Sequence, residues 1–175
     1  SLRRDYTSTR HSPDIVLAQH PAQFQVLGLS AYSNMSELAA LCQQFKPQWV
    51  CVPTPEQAQQ FYAALPQATE RPTVLLGEAG LCELASLPAA THVVAAIVGG
   101  AGLPSCIAAA RAGKTILLAN KEALVMAGAF FLQAVREGGA ILLPIDSEHN
   151  AIFQCLPHAR AHDVGAVGVR RILLT

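Results

Sequence analysis

The chain has 175 residues, 51% of them hydrophobic and 14% charged, and its 12 basic residues balance its 12 acidic residues to a net charge of zero. This composition predicts one compact domain over residues 1–175 and excludes a disordered chain. Because the basic residues form no long stripe and no apolar run reaches the ~20 residues of a membrane helix, we expect neither nucleic acid nor a membrane as partner.

Short apolar runs alternate with longer segments of helical period, which is typical of a parallel sheet with crossover helices. In chain order, the pattern predicts strands at residues 24–30, 48–52, 73–76, 92–98, 115–118, 139–143 and 170–174. Between them it predicts helices at residues 13–19, 35–45, 55–64, 79–86, 103–112, 121–136 and 147–155. The expected fold is therefore α/β: a doubly wound, mostly parallel, Rossmann-like sheet with helices on both faces.

The two ends of the chain do not fit this pattern. A nucleotide-binding sheet usually opens with an apolar strand and a glycine-rich turn that meets the pyrophosphate. The opening SLRRDYTSTRHSPDIV has neither, so residues 1–19 form an atypical start. The chain then stops on the predicted strand at 170–174, which suggests that a following domain is absent and that this exposed edge could self-associate.

Two further groups of residues have structural interpretations. Leu124, Gly128, Phe131 and Val135 form a stripe at helical spacing, which predicts a buried helix face. The five cysteines are odd in number, widely spaced and set among apolar residues, so we expect reduced, buried thiols in a cytoplasmic protein.

Polar clusters follow three of the predicted strands, at the edge where ligands bind in open parallel sheets. They are Tyr32-Ser33-Asn34, Asn120-Lys121-Glu122 and Asp146-Ser147-Glu148. Because the carboxyl ends of parallel strands share one edge, we expect all three clusters to open on the same side of the sheet. A glycine-rich stretch at 95–104 also follows a strand, and it serves either a tight turn or the close approach of a ligand.

The third cluster carries two carboxylates. At a strand-to-helix turn, Asp146 and Glu148 can aim at one point, and such hard oxygen donors suit Mg²⁺ or Mn²⁺. Ser147 could donate to a substrate oxygen. The alternative is that Ser147 caps a helix and Glu148 complements its dipole.

The second cluster also allows two interpretations. Lys121 could hold a phosphate or a hydroxyl beside the carboxylates. Alternatively, Asn120 is only a helix cap and Glu122 only an acidic residue of the first turn.

Four blocks together, VVAAIVGGAGLP, AGKTILLANKEALVMAG, ILLPIDSEHNAIFQCLP and RILLT, closely resemble the 1-deoxy-D-xylulose 5-phosphate reductoisomerase family over roughly residues 20–175. The resemblance implies an NADPH-dependent and divalent-metal-dependent isomerisation and reduction of the phosphorylated sugar 1-deoxy-D-xylulose 5-phosphate to 2-C-methyl-D-erythritol 4-phosphate, on the non-mevalonate route to isoprenoids. It also implies a cytoplasmic enzyme that is a homodimer at full length.

The same resemblance assigns roles to the polar clusters. It implies that Asp146 and Glu148 bind the metal ion and that Lys121 and Ser147 contact the substrate. Asn120 and Glu122 would line the NADPH site, and residues 32–34 would lie near the adenosine 2′-phosphate.

The chain departs from the family pattern at both ends. The family's first strand and G-x-T-G-S-I-G loop have no counterpart in residues 1–19, so we expect weakened NADPH binding. The catalytic and C-terminal helical domains are also absent, so we expect no turnover by this chain alone. One alternative is a non-catalytic remnant without useful cofactor binding. Another, a different NAD(P)-dependent dehydrogenase, is disfavoured by the carboxylate cluster and the lack of a G-x-G-x-x-G motif.

Overall fold

A computed structural model describes Leu17, residues 19–20, 22–67, 69–97, 99–119 and 122–156, and Arg171, apart from the side chains at 122, 123 and 148. Its strands are β1 (Gly28–Ser30), β2 (Trp49–Val52), β3 (Thr73–Leu76), β4 (His92–Ala95), β5 (Thr115–Leu118) and β6 (Ile141–Pro144). Its helices are α1 (Met35–Phe45), α2 (Pro55–Ala64), α3 (Gly77–Ser86), α4 (Leu103–Arg111), α5 (Glu122–Gly138) and α6 (Ser147–Gln154), with a short 3₁₀ turn at Gly100–Gly102.

All strand pairing in these residues is parallel. The first sheet has the order β1-β2-β3 and the second has the order β4-β5-β6. Parallel strands need crossover connections, and a helix supplies each one between β1 and β6. The α/β class and the helices on both faces are confirmed, while the strands pair as two sheets of three.

The first sheet packs against helices on both faces. One face places Leu29, Val50 and Val74 in a core with α1 and α2, where Phe61 is fully buried. The opposite face meets α3, where the close approach requires glycine. A Cβ on Gly80 would lie 2.9 Å from Leu75 Cβ, so a larger residue would push the helix off the sheet.

The second sheet buries one face under α4 and α5. Ile116 and Phe131 are fully buried in this core, which also includes Ala109 of α4. The opposite face is more open, since Val94 is 41% exposed and Ile141 is 51% exposed. The two sheets therefore differ in how completely their faces are covered.

Most predicted elements are confirmed, and their bounds shift by a few residues. The main exception is α5, where Ala127 has φ −145° and ψ 33°, so the helix is broken beside Gly128. Of the predicted buried stripe, Phe131 and Val135 are buried. At Gly128, a side chain would point into open space, because nothing packs within 4 Å of where its Cβ would be.

Three other expectations concern the chain ends and the membrane. Leu17 and Gln19 are helical, and the rest of the predicted helix 13–19 lies outside the described residues. The strand predicted at 170–174 lies outside them too, except for Arg171. Among the described helices, none is long and apolar enough to cross a membrane.

Candidate functional site

The carboxyl ends of β4, β5 and β6 lie side by side. Ala95 pairs with Leu118, and Leu118 pairs with Pro144. Two further hydrogen bonds continue this ladder past the strands: Ala119 N–H donates to Ala95 O at 3.0 Å, and Ile145 N–H donates to Leu118 O at 3.1 Å. The strand ends that lead into three segments are thus held at one edge of the second sheet. These segments are the glycine-rich stretch, residues 120–122 and residues 146–148.

Asp146 begins the turn after β6. Its side chain caps α6, because Oδ1 accepts the backbone N–H of His149 at 2.9 Å. The same oxygen lies 2.6 Å from Nδ1 of His149. Side-chain exposure is 23% for Asp146 and 56% for His149, so the carboxylate is sheltered while the imidazole faces solvent. The cap fixes the carboxylate at the strand end.

The structure corrects the alternative interpretation of this turn. The helix cap is Asp146 and not Ser147, which is the first, exposed residue of α6. Glu148 follows in the first turn, and its side chain lies outside the description. A carboxylate is a good cap because its oxygen accepts an otherwise unpaired backbone N–H and its charge complements the helix dipole.

Asn150, which was not among the predicted site residues, reinforces the same turn. Its Nδ2 donates to Pro144 O at 2.6 Å, which ties the first turn of α6 back to the end of β6. The sequence signal for this role is a short polar side chain four residues after the residue that caps the helix. The turn is therefore braced at both the capping carboxylate and the strand carbonyl.

The glycine-rich stretch makes the tight turn expected after β4. Gly99 has φ +75°, a conformation that side chains rarely adopt, and residues 100–102 form the 3₁₀ turn before α4. Met126 of α5 packs on this turn, because its Cε lies 2.9 Å from where a Cβ on Gly100 would be. This contact joins the turn after β4 to the helix after β5, and sequence spacing alone did not indicate it.

The cluster after β1 belongs to the first sheet. Asn34 caps α1: its Oδ1 accepts the Glu37 backbone N–H at 3.1 Å and its Nδ2 donates to Glu37 Oε2 at 2.9 Å. Tyr32 is 69% exposed, and Gln57 Nε2 donates to its carbonyl oxygen. Ser33 is also exposed, so this turn presents polar groups at the carboxyl end of β1.

Residues of the middle cluster are only partly described. Asn120 and Lys121 lie outside the described residues, and Glu122 begins α5 with its side chain outside the description. The backbone N–H of the preceding residue, Ala119, belongs to the hydrogen-bond ladder between β4 and β5. The geometry of these three side chains therefore remains a prediction.

The cysteines carry no catalytic signal among the described residues. Burial raises the pKa of Cys42, Cys51 and Cys106 to about 11, which keeps these thiols protonated near neutral pH. All five cysteines are free, as expected. The expectation that all are buried is wrong for Cys155, which is exposed, and Cys82 is half-buried.

The turn after β6 supplies some, but not all, of the oxygen ligands that a hard divalent cation needs. A sheltered aspartate oxygen donor lies at the strand end, as Mg²⁺ or Mn²⁺ prefers. The described side chains contain no group of three or more acidic, histidine or cysteine residues that could hold a metal ion. A complete coordination shell would therefore need donors beyond these side chains.

These features define a class of protein: an α/β domain with parallel sheets whose polar turns gather at the carboxyl edge, as in dinucleotide-binding enzymes. Comparisons with known proteins narrow this class. The model of the 1-deoxy-D-xylulose 5-phosphate reductoisomerase family matches residues 14–128. The chain belongs to this family.

Curated relatives agree over most of the chain. The reductoisomerase of Pseudomonas syringae pv. syringae is 57% identical over 160 residues, covering 91% of this chain and 40% of the relative. That of Pseudomonas putida is 56% identical with the same coverage. The chain thus spans about two fifths of the length of the curated relatives it matches.

Solved structures share the fold. One is a DOX-P reductoisomerase in complex with NADPH, fosmidomycin and magnesium; its TM-score is 0.81 at 46% identity, covering 87% of this chain and 37% of that one. Another is the reductoisomerase of Zymomonas mobilis in complex with NADPH, with a TM-score of 0.79 at 39% identity, covering 86% of this chain and 39% of that one.

Proposed function

We propose that the chain is the NADPH-binding part of a 1-deoxy-D-xylulose 5-phosphate reductoisomerase, and that residues 1–175 form one cofactor-binding domain. The observation that carries this proposal is the alignment of Ala95, Leu118 and Pro144, since it brings the turns after β4, β5 and β6 to one edge. Ligands of open α/β sheets bind at this edge. Because the chain spans only part of its relatives, we expect the complete reaction to need the longer protein.

The proposed cofactor site uses two turns. Tyr32, Ser33 and Asn34 would lie near the adenosine 2′-phosphate of NADPH, and their exposure after β1 is compatible with that role. Asn120 and Glu122 would line the rest of the cofactor site. The glycine turn after β4 has no side chain at Gly99 to obstruct a ligand.

The proposed metal and substrate site lies after β6. Asp146 and Glu148 would bind Mg²⁺ or Mn²⁺, while Ser147 and Lys121 would contact the phosphorylated sugar. The helix cap supports this role for Asp146, because the backbone N–H of His149 holds its carboxylate in place before any ion arrives. When bound, the divalent ion would act as a Lewis acid toward substrate oxygens.

The same proposal covers location and partners. We infer a cytoplasmic protein whose longer form is a homodimer and which binds a phosphorylated sugar and no nucleic acid. The zero net charge and the lack of a long basic stripe support the last part.

A calorimetric titration of NADPH, and separately of NADH, into the purified chain with Mn²⁺ present tests this proposal. We expect saturable binding that prefers NADPH, and at least ~10-fold weaker NADPH binding after Ser33→Asp, because a carboxylate would repel the 2′-phosphate. NADH affinity should stay unchanged. Gln43→Asp is the matched control, since it adds the same charge on the exposed side of α1.

A non-catalytic remnant is the second candidate, favoured by the atypical residues 1–19. It predicts no heat of binding for either nucleotide from a chain that circular dichroism shows to be folded. Equal affinities for the two nucleotides would instead contradict the assignment of residues 32–34.

A further inference from the structure

The peptide group that joins Pro144 to Ile145 is held from both sides. The N–H of Ile145 donates to Leu118 O at 3.1 Å, and Asn150 Nδ2 donates to Pro144 O at 2.6 Å. The C=O and the N–H of a trans peptide group point in opposite directions, so these two bonds fix its plane from opposite sides. The direction in which the chain leaves β6 is therefore set just before Asp146.

Asn150 makes a second bond in the same turn. Its backbone N–H donates to Asp146 O at 3.0 Å, so this one residue binds the carbonyl groups of both Pro144 and Asp146. The carboxylate of Asp146 accepts its own bond from the backbone N–H of His149 at 2.9 Å. The position of this carboxylate thus depends on Asn150 as well as on the helix cap.

Gln154 orients the side-chain amide of Asn150. Its Nε2 donates to Asn150 Oδ1. The oxygen and the nitrogen of an amide diverge from one carbon atom, so a donor at Oδ1 leaves Nδ2 directed toward Pro144 O. Gln154 lies four residues after Asn150, which is one turn along α6, and it is exposed. The helix itself therefore supplies the group that orients this amide.

We infer that Asn150 is a positioning residue for the metal ion, because it fixes the backbone on both sides of Ile145 and so directs the Asp146 carboxylate. Gln154 supports it by orienting its amide. This inference rests on the proposed role of Asp146 as a ligand of Mg²⁺ or Mn²⁺. Residues that orient metal ligands typically contribute ~10- to 100-fold to metal affinity without contacting the ion.

The test titrates Mn²⁺ alone into the full 175-residue chain, and electron paramagnetic resonance measures the free ion. We expect saturable binding that Asp146→Asn abolishes, since this variant keeps a capping oxygen and removes the charge. Asn150→Leu has a similar size and loses the bond to Pro144 O, so it should bind Mn²⁺ at least ~10-fold more weakly. Urea unfolding checks that each variant is folded in the titration buffer.

A second variant changes only the orientation of the amide. In Gln154→Glu, a carboxylate repels Asn150 Oδ1 and attracts Nδ2, which turns the amide away from Pro144 O. We expect at least ~10-fold weaker Mn²⁺ binding although a negative charge has been added nearby. Ala151→Glu is the matched control, because it adds the same charge at another exposed position of α6 and should not weaken binding. Since Gln154 is exposed, this variant should fold even if Asn150→Leu does not.

Three results would overturn the inference. The first is Mn²⁺ affinity that is the same in Asn150→Leu, or in Gln154→Glu, as in the unchanged chain; Asp146 would then remain a ligand that needs no support from Asn150. The second is weaker binding in Asn150→Leu that only follows its folded fraction, with Gln154→Glu and Ala151→Glu binding alike, which would limit Asn150 to stability.

The third result is no Mn²⁺ binding by the folded chain, or binding that survives Asp146→Asn. Either would remove the proposed role of Asp146 and the inference with it. These results are distinguishable from the first two, in which the unchanged chain binds Mn²⁺ through Asp146. Nucleotide is left out so that failure of NADPH binding does not affect the outcome.

Discussion

The two sheets differ in how completely helices cover their faces. The first sheet lies between α1 and α2 on one face and α3 on the other, whereas the second has its main core on the α4 and α5 side. On the face opposite the main core of each sheet, Cys51 of the first sheet is 3% exposed and Val94 of the second is 41% exposed. Parallel sheets are stable when both faces are covered, so we expect the second sheet to be the less stable half.

The largest expected effect separates the two cores. Phe131→Ala should lower the free energy of unfolding by about 3–5 kcal/mol, because it removes a fully buried aromatic ring and leaves a cavity. Urea unfolding measures the loss, and amide exchange should accelerate mainly in β4–β6. Phe61→Ala in the first core is the matched control and should act mainly on β1–β3. Equal acceleration in both sheets after either substitution would show that they unfold as one unit.

A buried cation supports only the second sheet. Lys114 precedes β5, is 7% exposed, and donates through Nζ to Leu87 O at 2.6 Å and Ala90 O at 2.7 Å. Lys114→Met should lower the free energy of unfolding by about 2 kcal/mol, since it keeps the apolar stem and removes both bonds. Lys46→Met on the exposed end of α1 should change it by less than ~0.5 kcal/mol. A similar loss for both variants in thermal unfolding would contradict this role.

The cap of α1 has a smaller effect and belongs to the first sheet. Asn34→Ala should cost about 1 kcal/mol of unfolding free energy, because the Glu37 backbone N–H loses its acceptor. Asn34→Asp keeps an acceptor oxygen and should retain most of the stability. Chemical denaturation of the two variants measures the difference, and an equal loss for both would argue that the amide group, and not the cap, is what matters.

The smallest effect on the free energy of unfolding is expected on the face of the second sheet opposite α4 and α5. Val94→Thr should change the free energy of unfolding by less than ~0.5 kcal/mol, because its side chain already meets solvent. Val50→Thr places the same hydroxyl in a closed core and should cost about 1–3 kcal/mol. If the two valines respond alike in urea unfolding, the second sheet is covered more completely than the exposed fractions indicate.

Local patterns predicted most of the fold. The bounds of α1 and α2 agree with the sequence expectation because Asn34 and Thr54 are capping residues and Pro55 suits a first turn. Gly113 follows the end of α4 with φ +69°, a left-handed conformation that favours glycine at this position. The break at Ala127 was not predictable, since the apolar period continues through it. The neighbouring residue Met126 contacts Gly100, and the local pattern does not specify such a contact between elements.

The candidate site was predictable in composition and only partly in geometry. Strand ends followed by polar clusters indicated residues 146–148, and the ladder through Leu118 confirms that their turn shares an edge with the turns after β4 and β5. The sequence did not distinguish Asp146 from Ser147 as the helix cap, because both residue types accept backbone hydrogen bonds. The choice depends on where the strand ends and the helix begins.

The sequence by itself determined the family, the alternation of strands and helices, and the residue types at the carboxyl edge, because these depend on short-range periodicity and on motifs. Only the tertiary structure decided that the strands pair as two sheets, that α3 packs closely on the first sheet and that Asp146 caps α6. The physical reason is that strand pairing and packing join residues far apart in the chain. A local pattern specifies which face of an element is apolar and does not specify which element will cover it.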